Sequence, residues 1–293
     1  MRKNTVVHSN YDLVIFVAPA LLLILCMSEI PFIMNIFYAF TNWNGLAKVS
    51  TFVGWENFIN IFGDANFQNS LLFTFKFTFF YVILTNIFAL IVAIALEKPL
   101  RSNKLFRTIF FVPNAISVVV IGFMWRFIFM YGFQAAGDLT HWEIFNWSWL
   151  GDYKLAWVSV VIVSVWQSIG YMMMIYIAGL QSIPADVLES TQMDGAVGFK
   201  KFWHITLPLI MPAVTICFFL TLANGLKIFD IVYVMTNGGP AFSTTSVALN
   251  IYRESFQNNR YGYGTAQSLI FFLIILIITT IQVRVTKRRE VEL

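Results

Sequence analysis

Six continuous apolar stretches constrain the fold of this chain more than any other feature. A helix needs about 20 mostly apolar residues to cross a bilayer core of about 30 Å, whereas strands of a membrane barrel alternate apolar and polar residues. The stretches here are unbroken, and they cover residues 13–38, 71–96, 107–131, 154–180, 207–229 and 266–285. The sequence therefore predicts an all-α integral membrane protein with six transmembrane helices.

The composition agrees with lipid as the main solvent. Hydrophobic residues make up 58% of the chain and charged residues 12%, whereas soluble domains carry about 45–50% and about 25%. The first stretch follows Arg2 and Lys3, but it is longer than the apolar part of a signal peptide and lacks a small-residue cleavage site. We expect it to persist as the first span. Cys26 and Cys217 lie in apolar stretches without a metal-binding spacing, which indicates packing.

The distribution of lysine and arginine predicts the orientation, because cytoplasmic loops carry an excess of basic residues. Twelve fall on one side of the membrane and four on the other, and Lys76, Arg126 and Lys227 lie within spans. The twelve are Arg2, Lys3, Lys98, Arg101, Lys104, Arg107, Lys200, Lys201, Arg284, Lys287, Arg288 and Arg289. Both termini are therefore expected in the cytoplasm, and the basic excess indicates topology and not nucleic-acid binding.

The cytoplasmic segment of residues 184–206 has the pattern of two short helices. Pro184 suits a first helical turn and Gly195 a helix end, and Asp186 and Glu189 favour the N-terminal end of the helix dipole. This pattern predicts a first helix of about three turns.

A second short helix is predicted after Gly195. Phe199, Phe202 and Trp203 are spaced to share one face of it, with Lys200 and Lys201 on the other side. From the residues alone, such a pair of helices is either a knob that contacts another protein or an interfacial pair on lipid headgroups.

The same segment closely resembles the cytoplasmic EAA loop of permease subunits of binding-protein-dependent ABC importers, in particular the maltose-type sugar subfamily. The family pattern is approximately I-P-x-x-L-x-E-A-A-x-x-D-G-A, followed by I-x-L-P. The chain departs from it at Ser190 and Thr191, which stand in place of the two alanines, and Asn237-Gly238-Gly239-Pro240 resembles the subfamily's N-G-G-P loop. The matching positions are Ile183, Pro184, Leu188, Glu189, Asp194, Gly195, Ala196, Ile205, Leu207 and Pro208.

The resemblance implies the type I ABC importer permease fold, with residues 1–293 as one permease domain in the cytoplasmic membrane of a prokaryote. It implies a second, different permease subunit, two ATPase subunits and an extracytoplasmic solute-binding protein as partners. Because the sequence has no G-x-x-x-x-G-K-[ST] phosphate loop, ATP and Mg²⁺ are expected on the ATPase subunits, with no cofactor, metal or catalytic residue here. The residues implied to dock on the ATPase are Glu189, Ser190, Thr191, Asp194 and Gly195.

Polar residues form stripes within the predicted spans, where they usually face a bundle interior or an aqueous path. The fourth stretch carries Ser164, Gln167, Ser168 and Tyr171, the fifth carries Thr221, Asn224 and Gly225, and the second carries a weaker stripe of Thr74, Thr78, Tyr81 and Thr85. The residues alone leave open whether these groups bind solute or join helices by hydrogen bonds. The resemblance implies that the stripes of the fourth and fifth stretches line a sugar site. Lys227 and Asp230, three residues apart, are predicted to pair.

The function predicted from these features is the pore-forming subunit of an ATP-driven importer for a sugar or oligosaccharide. Glycerol phosphate is the alternative solute, although the polar stripes contain no cluster of arginines. A membrane-embedded enzyme would need a carboxylate or histidine constellation, and Asp138, His141, Glu143 and Asp152 have no recognisable acid–base or metal spacing. An autonomous secondary carrier would usually show inverted repeats and broken helices, which are not evident.

Overall fold

The structure, a computed structural model, describes residues 10–97, 102–193 and 198–288. These ranges contain fifteen α-helices, and Thr41 and Phe52 form an isolated bridge. The helices are α1 (Asn10–Ile24), α2 (Ile30–Ala39), α3 (Glu56–Gly63), α4 (Ala65–Glu97), α5 (Asn103–Ala115), α6 (Val118–Phe127), α7 (Phe133–Thr140), α8 (Tyr153–Gln181), α9 (Ala185–Met193), α10 (Gly198–Lys201), α11 (Leu207–Leu209), α12 (Met211–Leu226), α13 (Asp230–Met235), α14 (Val247–Tyr252) and α15 (Tyr261–Lys287). π-Helical turns at Leu25–Glu29, Ile128–Gly132, Phe202–Thr206 and Arg253–Gln257 join or extend some of them.

Helices long and apolar enough to cross a membrane recur along the described chain. Five qualify as single stretches, and a bent pair of helices, Gly198–Leu209 with Met211–Leu226, makes a sixth if it is counted as one span. The five are Ile15–Ala39, Ala65–Glu97, Val118–Thr140, Tyr153–Gln181 and Tyr261–Lys287. The prediction of an all-α membrane protein is therefore confirmed.

The third span differs from its predicted bounds of 107–131. Helix α5 ends at Ala115, and Ile116 has an extended backbone (φ −88°, ψ 141°) before α6 begins. Pro113 lies in the last turn of α5, where it removes a backbone donor and weakens the continuation of the helix. The long apolar helix therefore starts after this break and runs from Val118 to Thr140.

The fifth span is bent, whereas the sequence predicts an uninterrupted run over 207–229. Helices α11 and α12 are separated at Ile210, and the helix axes on either side differ by 75°. Pro212 lies in the first turn of α12, and it has no N–H to donate to the carbonyl of Pro208. The missing hydrogen bond explains why the chain turns at this position.

The described chain groups into two compact units, of which the smaller comprises residues up to Gly63 together with Ile251–Ile270. Within it, the Asn57 carboxamide donates to the carbonyl oxygens of Ala39 and Thr41, both at 2.9 Å. The rings of Tyr38 and Trp43 stack with centroids 4.2 Å apart. The Asn57 hydrogen bonds anchor the end of α2 and the following loop to the start of α3, and the ring stack holds the loop against α2.

The larger unit comprises the described residues among 64–250 and 271–293 and contains α4, α8 and α12 packed side by side. Helix α5 packs on α8 so closely that a Cβ atom on Gly170 would overlap the carbonyl oxygen of Phe110. Small residues allow such close approach between membrane helices. The Gly170 contact therefore fixes the position of α5 against the middle of α8.

A buried polar network joins the three central helices of this unit. The Tyr176 hydroxyl donates to Oδ1 of Asn86 at 2.6 Å, and Nδ2 of Asn86 lies 3.0 Å from the Thr221 hydroxyl. All three side chains are almost fully buried. Cross-helix hydrogen bonds of this kind stabilise helix packing inside membranes, so the network fixes α4, α8 and α12 in one arrangement.

Candidate functional site

A cavity of about 330 Å³ lies about halfway along α8, within the larger unit. Binding pockets for small molecules typically measure about 300–1,000 Å³. We call it the central cavity, and its lining residues are Phe77, Tyr81, Asn114, Val118, Ser164, Gln167, Ser168, Asn224 and 227–231. It is therefore formed by α4, α8 and α12 together with the α5–α6 break and the start of α13.

Helix α8 contributes the polar wall of the central cavity. Ser164, Gln167 and Ser168 follow each other at spacings of three and one, which puts them on one face of the helix. The hydroxyls of Ser168 and Tyr81 lie 2.7 Å apart and share a hydrogen bond. The buried Ser164 hydroxyl has no hydrogen-bond partner within the described part of the chain. This wall therefore offers one preset hydroxyl pair and one unused hydroxyl.

The facing wall carries two charged side chains. Lys227 follows the last residue of α12, and Asp230 is the first residue of α13. Each charge lies at the end of a helix where the dipole favours its sign. Among the described residues, the predicted Lys227–Asp230 ion pair does not form, whereas Arg260 and Glu254 pair at 3.1 Å. The two helix ends stabilise the charges separately, so both groups remain exposed to the cavity.

The chemistry of the central cavity suits a polar solute without a net charge. Hydroxyl and carboxamide groups both donate and accept hydrogen bonds, and the single lysine and single aspartate balance each other. Among the lining residues, Phe77 and Tyr81 stack on each other with centroids 5.4 Å apart and are almost fully buried. Val118 and Phe229 are partly exposed and give the cavity an apolar side. A polyhydroxylated ring with one apolar face meets both kinds of surface.

Four of the seven side chains predicted to bind solute line the central cavity, namely Ser164, Gln167, Ser168 and Asn224. Tyr171 does not line it and is 41% exposed. Thr221 is buried in the polar network with Asn86, and Gly225 packs against Thr78 and Tyr81. A role of these three in solute binding stays a prediction.

The structure adds lining residues that the sequence did not single out for solute binding. Asn114 reaches the cavity because the chain breaks between α5 and α6, and the neighbouring Pro113 does not by itself specify a break. Tyr81 belongs to the weaker polar stripe of α4, and that stripe was the available signal. The sequence predicted that Lys227 and Asp230 pair with each other, and it did not predict that they line a cavity.

The short-helix segment, residues 184–206, follows the end of α8. Its first helix, α9, presents Asp186, Glu189 and Ser190 as exposed residues. The hydroxyls of Ser190 and Thr191 donate to carbonyl oxygens one turn earlier in the same helix, at 2.7 and 2.6 Å. The two hydroxyls of α9 are therefore satisfied within the helix itself. Asp194 and Gly195, also predicted to dock on a partner, lie outside the described residues.

The second half of the short-helix segment presents an aromatic surface. The rings of Phe199, Phe202 and Trp203 lie with centroids 6.0 to 6.5 Å apart, which confirms their predicted clustering. Phe199 is 77% and Trp203 56% exposed. Exposed clusters of this kind mark contact with a protein or with lipid.

The central cavity and the short-helix segment are connected by α8. This helix has 29 residues, which corresponds to a length of about 43 Å at 1.5 Å per residue. The cavity residues 164–168 lie near its middle, and residue 184 follows its C-terminal end. One continuous helix therefore links the polar wall of the cavity to the exposed segment.

Comparisons with known proteins find similarity to membrane transport proteins along nearly the whole chain. Residues 85–291 match the family described as "Binding-protein-dependent transport system inner membrane component". The chain is 40% identical to the "Probable starch degradation products transport system permease protein AmyD" of Thermoanaerobacterium thermosulfurigenes, over 95% of both chains. It is 33% identical to the "Multiple sugar-binding transport system permease protein MsmF" of Streptococcus mutans, over 89% of this chain and 90% of that protein.

A third relative carries a different solute in its name. The chain is 30% identical to the "sn-glycerol-3-phosphate transport system permease protein UgpA" of Rhizobium meliloti, over 94% of both chains. Among solved structures, it is similar in fold to a chain of a bacterial ABC transporter involved in the import of the acidic polysaccharide alginate. That similarity has a TM-score of 0.82 at 20% identity and covers 95% of this chain and 96% of that one.

Proposed function

Because this chain belongs to the family of binding-protein-dependent transport system inner membrane components, we propose that it is a pore-forming permease subunit of an ATP-driven importer for a sugar or oligosaccharide. The observation that carries the solute class is the central cavity. Ser164, Gln167 and Asn224 offer hydrogen-bonding groups beside the stacked rings of Phe77 and Tyr81. The sugar-related names of two relatives support the same class.

The energy source in this proposal is a separate ATPase that docks on the short-helix segment. Exposed Glu189 meets a basic group of the ATPase, and Ser190, Thr191, Asp194 and Gly195 complete the docking helix and its turn. ATP and Mg²⁺ bind to two such ATPase subunits. Movement of the docked helix is transmitted through α8 to the wall of the central cavity, because a rigid helix carries a displacement along its length.

The proposed importer contains further partners, and this chain forms one permease domain within it. A second, different permease subunit completes the pore, and a solute-binding protein delivers the sugar from outside. The excess of basic residues in the loops supports a cytoplasmic position for both termini and for the short-helix segment.

Glycerol phosphate is the second candidate solute, and Lys227 in the central cavity together with the UgpA relatives favours it. Phosphate sites, however, usually combine several charge-assisted hydrogen bonds from arginine or lysine. The central cavity offers one lysine, and Asp230 beside it repels an anion. We therefore rank a neutral sugar above glycerol phosphate.

Purification of the complex through this subunit tests the proposal. The co-purifying proteins are identified by mass spectrometry, and the solute-binding protein among them is screened against sugars and glycerol phosphate by calorimetry. We expect a second permease, an ATPase and a binding protein that takes a sugar. A binding protein that takes glycerol phosphate and no sugar would replace the first solute with the second, and the absence of any ATPase would contradict the proposed energy source.

A further inference from the structure

A second, larger cavity lies at the other end of α8 from the short-helix segment. It has a volume of about 650 Å³ and is formed by the loop of residues 145–151, which precedes α8, together with parts of α6, α7 and α13. We call it the outer cavity. The lining residues used below are Arg126, Phe129, Gln134, Asn146, Trp147 and Trp149.

The outer cavity has a fixed aromatic wall. Trp149 is nearly buried, its ring lies 5.6 Å from that of Phe129, and its indole N–H donates to the carbonyl oxygen of Ile144 at 2.9 Å. The ring of Trp147 lies 6.2 Å from that of Trp149 and is 49% exposed. A buried and hydrogen-bonded tryptophan therefore supports a second one whose surface remains free.

Polar side chains stand around this aromatic wall. Arg126 donates through Nη1 to the carbonyl oxygen of Val234 at 3.5 Å, which leaves most of its five N–H donors available. The carboxamides of Gln134 and Asn146 line the cavity, and neither has a hydrogen-bond partner within residues 10–97, 102–193 and 198–288. A few polar groups beside an aromatic surface are the usual lining of a small-molecule site.

The outer cavity and the central cavity touch opposite ends of the same short helix. Asp230 and Ile231, at the start of α13, line the central cavity. Met235, the last residue of α13, and Thr236 line the outer cavity. Helix α13 has six residues, which corresponds to about 9 Å along its axis. The two cavities are therefore about one short helix apart.

We propose that the outer cavity is a second saccharide subsite, which holds the trailing sugar units of an oligosaccharide whose leading end occupies the central cavity. The apolar C–H face of a pyranose stacks on Trp147, and the planar donors of Arg126, Gln134 and Asn146 bond the hydroxyls at the ring edge. The proposal rests on the proposed function of the chain as a sugar permease. It adds that chain-length preference is built into this subunit.

Equilibrium binding to the whole complex in lipid nanodiscs, without the binding protein, tests the subsite. The radiolabelled probes are a disaccharide and a hexasaccharide of the sugar found in the binding-protein screen, beginning with maltose and maltohexaose. In Trp147→Ala we expect the Kd for the hexasaccharide to rise about tenfold, a typical loss for an aromatic anchor, and the Kd for the disaccharide to stay unchanged. Trp147→Phe keeps an aromatic ring and should retain most of the affinity.

Two further variants distinguish failure of the outer subsite from failure of the proposed sugar permease function. Trp142→Ala removes an exposed tryptophan of the same region that does not line the outer cavity, and it should change neither Kd. Gln167→Ala alters the central cavity and should weaken both probes. Equal losses for both probes in Trp147→Ala, or no loss, would overturn the outer subsite alone. An unmodified complex that binds no saccharide would overturn the sugar function and this subsite together.

Discussion

The central cavity lies near the middle of α8 and the short-helix segment follows its C-terminal end, and hydroxyl groups in the two regions form different hydrogen bonds. In the cavity, hydroxyls bond across helices, as Tyr81 does with Ser168. In α9, the hydroxyls of Ser190 and Thr191 bond back to their own helix. Cross-helix bonds hold the helices around the cavity in place, whereas a helix whose hydroxyls bond within it needs no neighbouring helix to satisfy them.

This difference suggests that solute recognition and energy coupling are separable within one chain. The central cavity depends on the packing of four or more elements, and the short-helix segment depends on its exposed surface. Changes in the first region should alter which solute moves and how tightly it binds. Changes in the second should stop movement without altering the solute's affinity.

Glu189→Arg should have the greatest effect, and the quantity it changes is solute-stimulated ATP hydrolysis. If Glu189 pairs with a basic group of the ATPase, reversal of its charge should lower solute-stimulated ATP hydrolysis in proteoliposomes at least about thirtyfold, since a broken interfacial charge pair costs about 2–5 kcal/mol. Membrane insertion and solute affinity should persist. Glu143→Arg, at an exposed glutamate near the opposite end of α8, is the matched control. Normal stimulation in Glu189→Arg would contradict docking through this helix.

The next effect concerns the buried network that lies between the two regions. Asn86→Leu removes the partner of both Tyr176 and Thr221 and should lower the free energy of unfolding by about 1–3 kcal/mol, the usual range for stranded buried polar groups. Thermal unfolding of the complex in detergent measures this change. Thr279→Val, where the hydroxyl bonds only its own helix, should change the melting temperature little. Equal melting temperatures for the two variants would show that the network does not stabilise the packing of the three helices.

A smaller effect is expected in the wall of the central cavity. Gln167→Leu removes a side chain that both donates and accepts, and it should raise the Kd for the transported sugar about tenfold, with basal ATP hydrolysis unchanged. The measurement is equilibrium binding to the complex in nanodiscs. Tyr171→Ala should raise the Kd less than Gln167→Leu does, because Tyr171 does not line the cavity. A larger rise in Kd for Tyr171→Ala than for Gln167→Leu would indicate that the solute binds nearer to Tyr171.

The smallest effect is expected from Tyr81→Phe, which removes one hydroxyl and keeps the ring. The lost Tyr81–Ser168 hydrogen bond is worth about 0.5–1.5 kcal/mol, so uptake of the sugar should fall about threefold. Ser168→Ala should have a similar effect, and the double variant should add little to either. Full additivity of the two changes would show that the hydroxyls act independently.

Much of the fold could be predicted from the sequence because a helix that crosses lipid needs a long apolar run. Spans one, two, four and six appear near their predicted places. The break at Ile116 and the bend at Ile210 were missed. Proline marks both places, but a proline alone does not specify whether a membrane helix bends, breaks or continues, since neighbouring helices satisfy the freed backbone groups.

Part of the candidate site could also be predicted from the sequence, because helical spacing shows which residues share one face. Helical periodicity placed Ser164, Gln167 and Ser168 on one face, and the structure brings this face to the central cavity. Periodicity cannot show which neighbouring helix meets that face, so Asn114 was missed. The spacing of Lys227 and Asp230 suggested a pair, whereas the end of α12 and the start of α13 hold the two charges separately.

Solute uptake by defined proteoliposomes tests whether this chain supplies a solute path and receives its energy from a separate ATPase. Vesicles are prepared with the two permeases, with and without the ATPase subunits, and radiolabelled sugar is presented on its binding protein. We expect accumulation against a gradient only when ATP and the ATPase are both present on the side of the short-helix segment. Accumulation by the purified chain alone, without ATP or any companion subunit, would contradict this expectation.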